Sequence, residues 1–187
     1  MKKIIEKNTN EFLQHSNWIE SEYSIQALKD AKVAWKFAME NKDDINIKYV
    51  LEIHRLLCKN IRPDIAGKVR NCDVWIGGER KIFISVQLLE EEIDFWCKSL
   101  NKKLKIYLKK DNDKQILWVK KMHLKFEGIH PYEDGNGRTG RILMNIHRIL
   151  LNLPLLIIHE GYDQYEYYQW FRKEIENPFY ICKYCNK

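Results

Sequence analysis

The sequence predicts a mainly helical bundle that carries one small β-hairpin. Apolar residues recur at three-to-four spacing through most of the 187 positions, the signature of helices with one buried face. Period-two alternation appears in a single stretch around Gly77-Gly78. Pro154 stands where the penultimate helical pattern stops, as a helix breaker should. At 45% apolar content, with no internal repeat, linker or low-complexity tract, residues 1–187 are expected to form one domain around a sizeable core.

The elements follow in order. A helical segment is expected from about Asn10 to Asn41, carried by Phe12, Trp18-Ile19, Ile25, Leu28, Ala31, Val33-Ala34-Trp35 and Ala38, with a break near Ser21. A second runs from about Ile47 to Lys59. Between Gly67 and Ser85, Val74/Ile76 and Ile82/Ile84 alternate on either side of two glycines, which reads as a hairpin. Helical spacing resumes from Val86 to Leu104, then over about 113–129, 137–152 and 163–175.

Composition narrows the function classes. No apolar run reaches the roughly 18 residues of a membrane span, and Met1-Lys2-Lys3-Ile4-Ile5-Glu6 lacks the apolar core of a signal peptide. Cytoplasmic residence, or delivery by a signal-independent route, is therefore expected. The five cysteines are odd in number and irregularly spaced, which argues against a disulfide framework. Cys58 and Cys97 read as small buried hydrophobes. Cys182-Lys183-Tyr184-Cys185 could be half a zinc site, with His159 the only nearby candidate ligand, but a frayed terminus is the expected reading. The net charge of +6 is spread along the chain. Its densest cluster, Lys102-Lys103, Lys105 and Lys109-Lys110, reads as a solvated helix face. No nucleic-acid module accompanies it, and a basic surface can attract ATP or an acidic protein.

Residues 130–141, His-Pro-Tyr-Glu-Asp-Gly-Asn-Gly-Arg-Thr-Gly-Arg, concentrate the chemistry. Gly135 and Gly137 permit positive φ, so successive N–H groups can converge on an anion. The helix that begins near Gly137 adds its unpaired N–H groups and dipole. Arg138 and Arg141 share a face at i,i+3 and offer donor forks to phosphate oxygens. Asp134 is a candidate hard-oxygen ligand for Mg²⁺, and His130 titrates near neutrality and can act as a base. Each residue alone is commonplace. Together, at a helix-loop-helix junction without a preceding strand, they point to polyphosphate chemistry that is neither P-loop nor dinucleotide-binding.

This segment resembles the signature of the Fic (Fic/Doc) family, His-Pro-Phe-x-Asp/Glu-Gly-Asn-Gly-Arg-x-x-Arg. The lead-in His123-Leu-Lys-Phe-Glu-Gly-Ile-His130 and the tail Ile142-Leu-Met-Asn145 resemble it as well. Tyr132 stands where the family usually has Phe, and its hydroxyl needs a partner if the ring is buried. The resemblance implies an AMP transferase acting on the Ser, Thr or Tyr hydroxyl of a target protein, with ATP as co-substrate, Mg²⁺ as cofactor and self-modification as an option. His130 would take the hydroxyl proton and Asp134 would hold Mg²⁺. Asn136, with the backbone of Gly135 and Gly137, would cradle the α-phosphate, and Arg138 and Arg141 would bind the β- and γ-phosphates. Asn145 and a late-helix tyrosine, Tyr167 or its neighbours Tyr165 and Tyr168, would contact the adenosine. The hairpin, residues 67–85, would be a flap that docks an extended target segment along Val74, Trp75, Ile76 and Ile82.

Ser16-Asn17-Trp18-Ile19-Glu20-Ser21 resembles the family's inhibitory motif, Ser/Thr-x-x-x-Glu-Gly/Asn, with Ser21 departing at the last position. The resemblance implies an inhibitory helix over residues 10–22, in which Ser16 and Glu20 are regulatory and Glu20 occupies Arg141. Two alternatives remain at this level: removal of AMP with Glu20 aligning a water, or a nucleotide-gated binding module without catalysis. The target, and a toxin as against a regulatory role, are not legible in the sequence.

Overall fold

The computed structural model describes residues 2–74 and 84–176. Its helices are α1 (Lys2–Trp18), α2 (Ile25–Glu40), α3 (Ile47–Cys58), α4 (Leu89–Tyr107), α5 (Asn112–Ile129), α6 (Asn136–Leu150) and α7 (Tyr162–Glu176), with one 3-10 turn at Val86–Leu88 ahead of α4. No strand occurs among the described residues, so the mainly helical class holds. The central part of the expected hairpin, residues 75–83 with Trp75, Ile76 and Ile82, lies outside them, as does the Cys182/Cys185 pair. Among the described residues no helix is long and apolar enough to cross a membrane.

Local chemistry sets the helix ends. Ser24, Asn46 and Asp111 sit in extended conformation and accept from the N–H groups of Ala27, Tyr49 and Lys114 at 3.1, 3.1 and 2.9 Å, which satisfies donors that a helix cannot pair internally. The break between α1 and α2 falls where the apolar spacing places it, and Ser21 takes a left-handed φ of +57° there. That conformation suits Gly or Asn better than Ser. Helix α1 begins well ahead of Asn10, in a stretch where Ile4 and Ile5 are the only apolar residues and the spacing is too sparse to mark a helix.

The core lies between α2 and α3 on one side and α4 and α5 on the other, with α6 through the middle. Every residue of α6 from Arg138 to Arg148 is buried. Gly140 allows the close approach of α5, because a methyl there would meet the Glu127 carboxyl, the His123 ring and the Phe126 ring. The Trp96 indole donates to the Met122 carbonyl at 2.9 Å and so ties α4 to α5. This packing leaves the α5–α6 loop, with the first turn of α6, as the place where buried polar groups gather.

Candidate active site

The loop is built around one strained residue. His130 ends α5 in left-handed conformation, φ 48° and ψ 61°, which costs a non-glycine residue about 1–3 kcal/mol unless its surroundings enforce it. They do. Its N–H donates to the Phe126 carbonyl at 3.2 Å. Its carbonyl accepts from Arg70 Nε at 2.9 Å, and the Arg70 backbone N–H donates to the Pro131 carbonyl at 2.8 Å. The remaining Arg70 nitrogens donate to the carbonyls of Cys72 and Ile84 at 2.9 and 2.7 Å. Arg70, only 2% exposed, thus joins the α5–α6 loop to both flanks of the 75–83 segment.

Tyr132 anchors the loop in the core. Its ring stacks on His54 at 3.6 Å with the planes 4° apart, and its hydroxyl donates to the Val50 carbonyl at 3.2 Å. That bond is the partner the buried hydroxyl requires. Gly67 N–H donates to His54 Nδ1 at 3.0 Å, so His54 carries its proton on Nε2, 3.0 Å from the Asp134 carbonyl. The Asn136 amide accepts from Tyr132 N–H at 2.9 Å and donates to the Tyr132 carbonyl at 2.8 Å. Both ends of that side chain are therefore committed to the loop.

His130 Nδ1 faces the Glu127 carbonyl at 3.3 Å. A carbonyl can only accept, so the proton belongs on Nδ1 and Nε2 presents a lone pair. Burial pushes the imidazole down to about 4, against the opposing pull of the Glu127 carbonyl. The ring is neutral at pH 7, the state a general base must be in.

Beside it stands the candidate anion site. Gly135 caps α6 with φ 78°, and its N–H donates to Asp134 Oδ1 at 2.6 Å. Asp134 Oδ2 lies 3.2 Å from Arg138 Nη2, the carboxylate side chain 46% exposed and the guanidinium 4%. The buried Arg138 Nε has no acceptor. Arg141 donates from Nε to Ser16 Oγ at 2.9 Å, and from Nη2 to the Ser16 carbonyl and Glu20 Oε1 at 2.7 Å each. A methyl on Gly137 would run into the Glu20 carboxylate and stand 2.8 Å from Arg141 Nη1, so the glycine leaves room for this ion pair. Ser16 and Glu20, remote in sequence, thus meet the motif.

Behind Arg141 lies a fully buried layer. Tyr167 stands 5.8 Å from the guanidinium, and its hydroxyl is 2.9 Å from His123 Nε2. Burial pushes the Glu127 carboxyl up to about 8, although Arg141 pulls the other way. Asn145 is 0% exposed and spends its amide on the backbone of Leu156, accepting at 2.7 Å and donating at 3.1 Å. The expectation that Asn145 and Tyr167 reach adenosine therefore meets side chains engaged in the fold. Tyr165 and Tyr168 are the exposed tyrosines among those considered for that role.

The model of the Fic/DOC family matches residues 44–147. This chain belongs to the Fic/DOC family. The Fic match reaches from just ahead of α3 to His147 in α6 and takes in the whole 130–141 segment. Among curated Fic proteins, the protein adenylyltransferase Fic of Aedes aegypti is 31% identical over 134 residues, covering 71% of this chain and 25% of its own length. That of Nematostella vectensis is 27% identical and covers 89% of this chain and 44% of its own length. The chain thus spans a quarter to less than half of these relatives. Among solved structures, Fic-1 from C. elegans superposes with a TM-score of 0.75 at 21% identity, covering 91% of this chain and 57% of that one. A Fic-domain signaling protein from Bacteroides thetaiotaomicron gives 0.74 at 19%, with 90% and 72% covered.

Arg70, His54 and Glu127 escaped the sequence reading. Arg70 and His54 act on loop residues 60 and 80 positions away, and nothing near them in sequence marks that role. Glu127 did lie inside the recognised lead-in, and an acid between Phe126 and Ile129 on an apolar helix face was a usable signal.

Proposed function

We propose that this chain transfers AMP from ATP to a Ser, Thr or Tyr hydroxyl of a protein, itself included, and that Glu20 restrains the reaction. The observation that carries this reading is the Glu20 carboxylate on Arg141, the second arginine of a phosphate-type anion site whose other edge is a neutral His130. In the reaction His130 Nε2 takes the proton of the incoming hydroxyl. The hydroxyl oxygen bonds to the α-phosphorus as the bond to the bridging oxygen breaks, and pyrophosphate leaves. Backbone N–H groups at the start of α6 receive the α-phosphate oxygens, and Arg138 and Arg141 neutralise the leaving phosphates. Positioning and charge neutralisation supply most of the catalysis in such displacements.

The Asp134 carboxylate, half exposed at the mouth of this site, fits Mg²⁺, which is typically held by one or two carboxylates together with substrate phosphates. The metal would draw charge from the α- and β-phosphates. The target segment would pair with the 67–85 flap, at whose described edge Val74 is buried. Cytoplasmic residence, where ATP and protein hydroxyls are plentiful, suits this reading.

Incubation of the chain with Mg²⁺, lysate and ATP labelled in turn at the α- and γ-phosphate tests it. Protein label from the α position alone is expected. Label from γ alone would mean kinase chemistry, and label from neither, in the Glu20→Gly variant too, would leave a binding module. Release of AMP from pre-modified protein, with no forward transfer, would favour the reverse activity.

A further inference from the structure

Along one side of α1, three half-buried metal-ligating side chains meet. Glu11 and His15 share one face of α1 at i,i+4, and His159 comes from the segment between α6 and α7. One ligand atom from each lies within 4.8 Å of the other two. His159 Nε2 is 3.0 Å from Glu11 Oε1, close to the roughly 3.3 Å edge that two ligands 2.0–2.1 Å from one tetrahedral ion make. The rings of His15 and His159 stand edge to face, centroids 4.5 Å apart. Asp163 Oδ2 sits 2.9 Å from His159 Nδ1. It thereby favours the proton on Nδ1 and turns Nε2 toward Glu11, the carboxylate-imidazole arrangement that orients metal-binding histidines. His15 Nδ1 is buried without a partner, a polar atom that a fold rarely leaves so.

We propose that Glu11, His15 and His159 form a Zn²⁺ site that clasps α1 to the start of α7. Two imidazoles and one carboxylate suit zinc, whereas Mg²⁺ and Ca²⁺ favour all-oxygen shells. Three protein ligands leave a fourth position for water. The nearby carboxylates of Asp163 and Glu160, the latter accepting from the Tyr23 hydroxyl at 3.0 Å, make the surroundings attractive to a cation. The site has a mechanical consequence. His15 directly precedes Ser16, whose hydroxyl and carbonyl hold Arg141, so an ion here braces the turn that presents Glu20. That consequence rests on the AMP-transfer reading, and metal binding itself does not.

The test is a titration of the full chain without nucleotide, with Zn²⁺ by calorimetry and with Co²⁺ by visible absorption. We expect one Zn²⁺ per chain and Co²⁺ bands of a nitrogen-oxygen shell without thiolate charge transfer. The Cys182→Ser/Cys185→Ser variant should bind unchanged. His15→Ala/His159→Ala should not bind, and Asp163→Asn, a milder change that keeps the fold intact, should bind about 10–100-fold more weakly. Hydrogen exchange of α1 amides should slow with Zn²⁺ in the wild type only. Absence of binding, binding that survives loss of both histidines, or binding lost with the cysteines would overturn the site. Zinc binding that leaves α1 exchange unaltered would overturn the clasp. Since no nucleotide is present, failure here is distinct from failure of the transfer assay.

Discussion

Glu20 Oε1 lies 2.7 Å from Arg141 Nη2 across 121 positions of sequence, on a guanidinium that Ser16 grips through both its hydroxyl and its carbonyl. The arginine side chain is 2% exposed and the carboxylate 34%, so the pair has one foot in the core and the other at the mouth of the anion site. In the proposed reaction a phosphate would compete with this carboxylate for the same donors.

Replacing Glu20 with Gly should therefore raise AMP transfer, most visibly as self-modification. A charge-assisted pair of this kind contributes about 1.5–3 kcal/mol, so release should increase productive occupancy by roughly one to two orders of magnitude. The gain should vanish in Glu20→Gly/Arg141→Ala. A labelled-ATP time course on the three proteins checks both, and unchanged activity in the single variant would leave Ser16–Ser21 as an ordinary helix end.

His130→Ala should abolish transfer while Mg-ATP binding, read by calorimetry, stays largely intact, because the imidazole acts on the hydroxyl and not on the phosphates. In the Glu20→Gly background the acidic limb of the rate profile should fall at or below about pH 4, since burial holds His130 at about 4 and the lost Glu20 charge was one that raised it. A limb near 6.5 would show that the titrating base is a solvated group.

Arg70→Met should slow transfer more than it weakens ATP binding. Three backbone carbonyls lose their donor, each buried acceptor left unpaired costing about 1–3 kcal/mol. The left-handed turn at His130 loses one of its supports at the same time. Arg70→Lys can satisfy part of that set and should recover part of the rate. Urea midpoints, with kcat and KM for both variants, separate a stability loss from a positioning loss.

Stability should peak near neutrality and fall steeply in acid. Burial lowers His54 and His130 to about 4, and His123 and His147 to about 3. Below about 6.5 the unfolded chain gains protons that these rings refuse in the folded state, so the folded form loses ground as pH drops. Each unit of displacement is worth about 1.4 kcal/mol per group, so the four groups together remove a large part of a typical stability of about 5–15 kcal/mol by pH 4. Glu127, raised to about 8, acts in the opposite sense. Above its unfolded value of about 4.5 it holds a proton that the unfolded chain has released, and stability declines as pH rises toward 8. Thermal melts should show Glu127→Gln more stable than wild type at pH 8 and little changed below pH 5.

The sequence by itself determined what depends on neighbours along the chain. Periodic apolar spacing marked the helices from α2 to α7 to within a few residues, because each helix exposes its pattern in its own residues. The 130–141 motif was legible for the same reason, as its glycines, base, acid and arginines act on one short turn. The tertiary structure alone decided which buried groups hold that turn. Arg70 and His54 reach it through packing, Asn145 turns to Leu156 because the extended segment after α6 runs beside it, and Glu127 becomes a buried acid because Gly140 lets α5 and α6 close over it. Glu11 and His159, 148 positions apart, meet only once α1 lies against the start of α7. Such contacts depend on crossing helices and on burial, and a one-dimensional pattern carries neither.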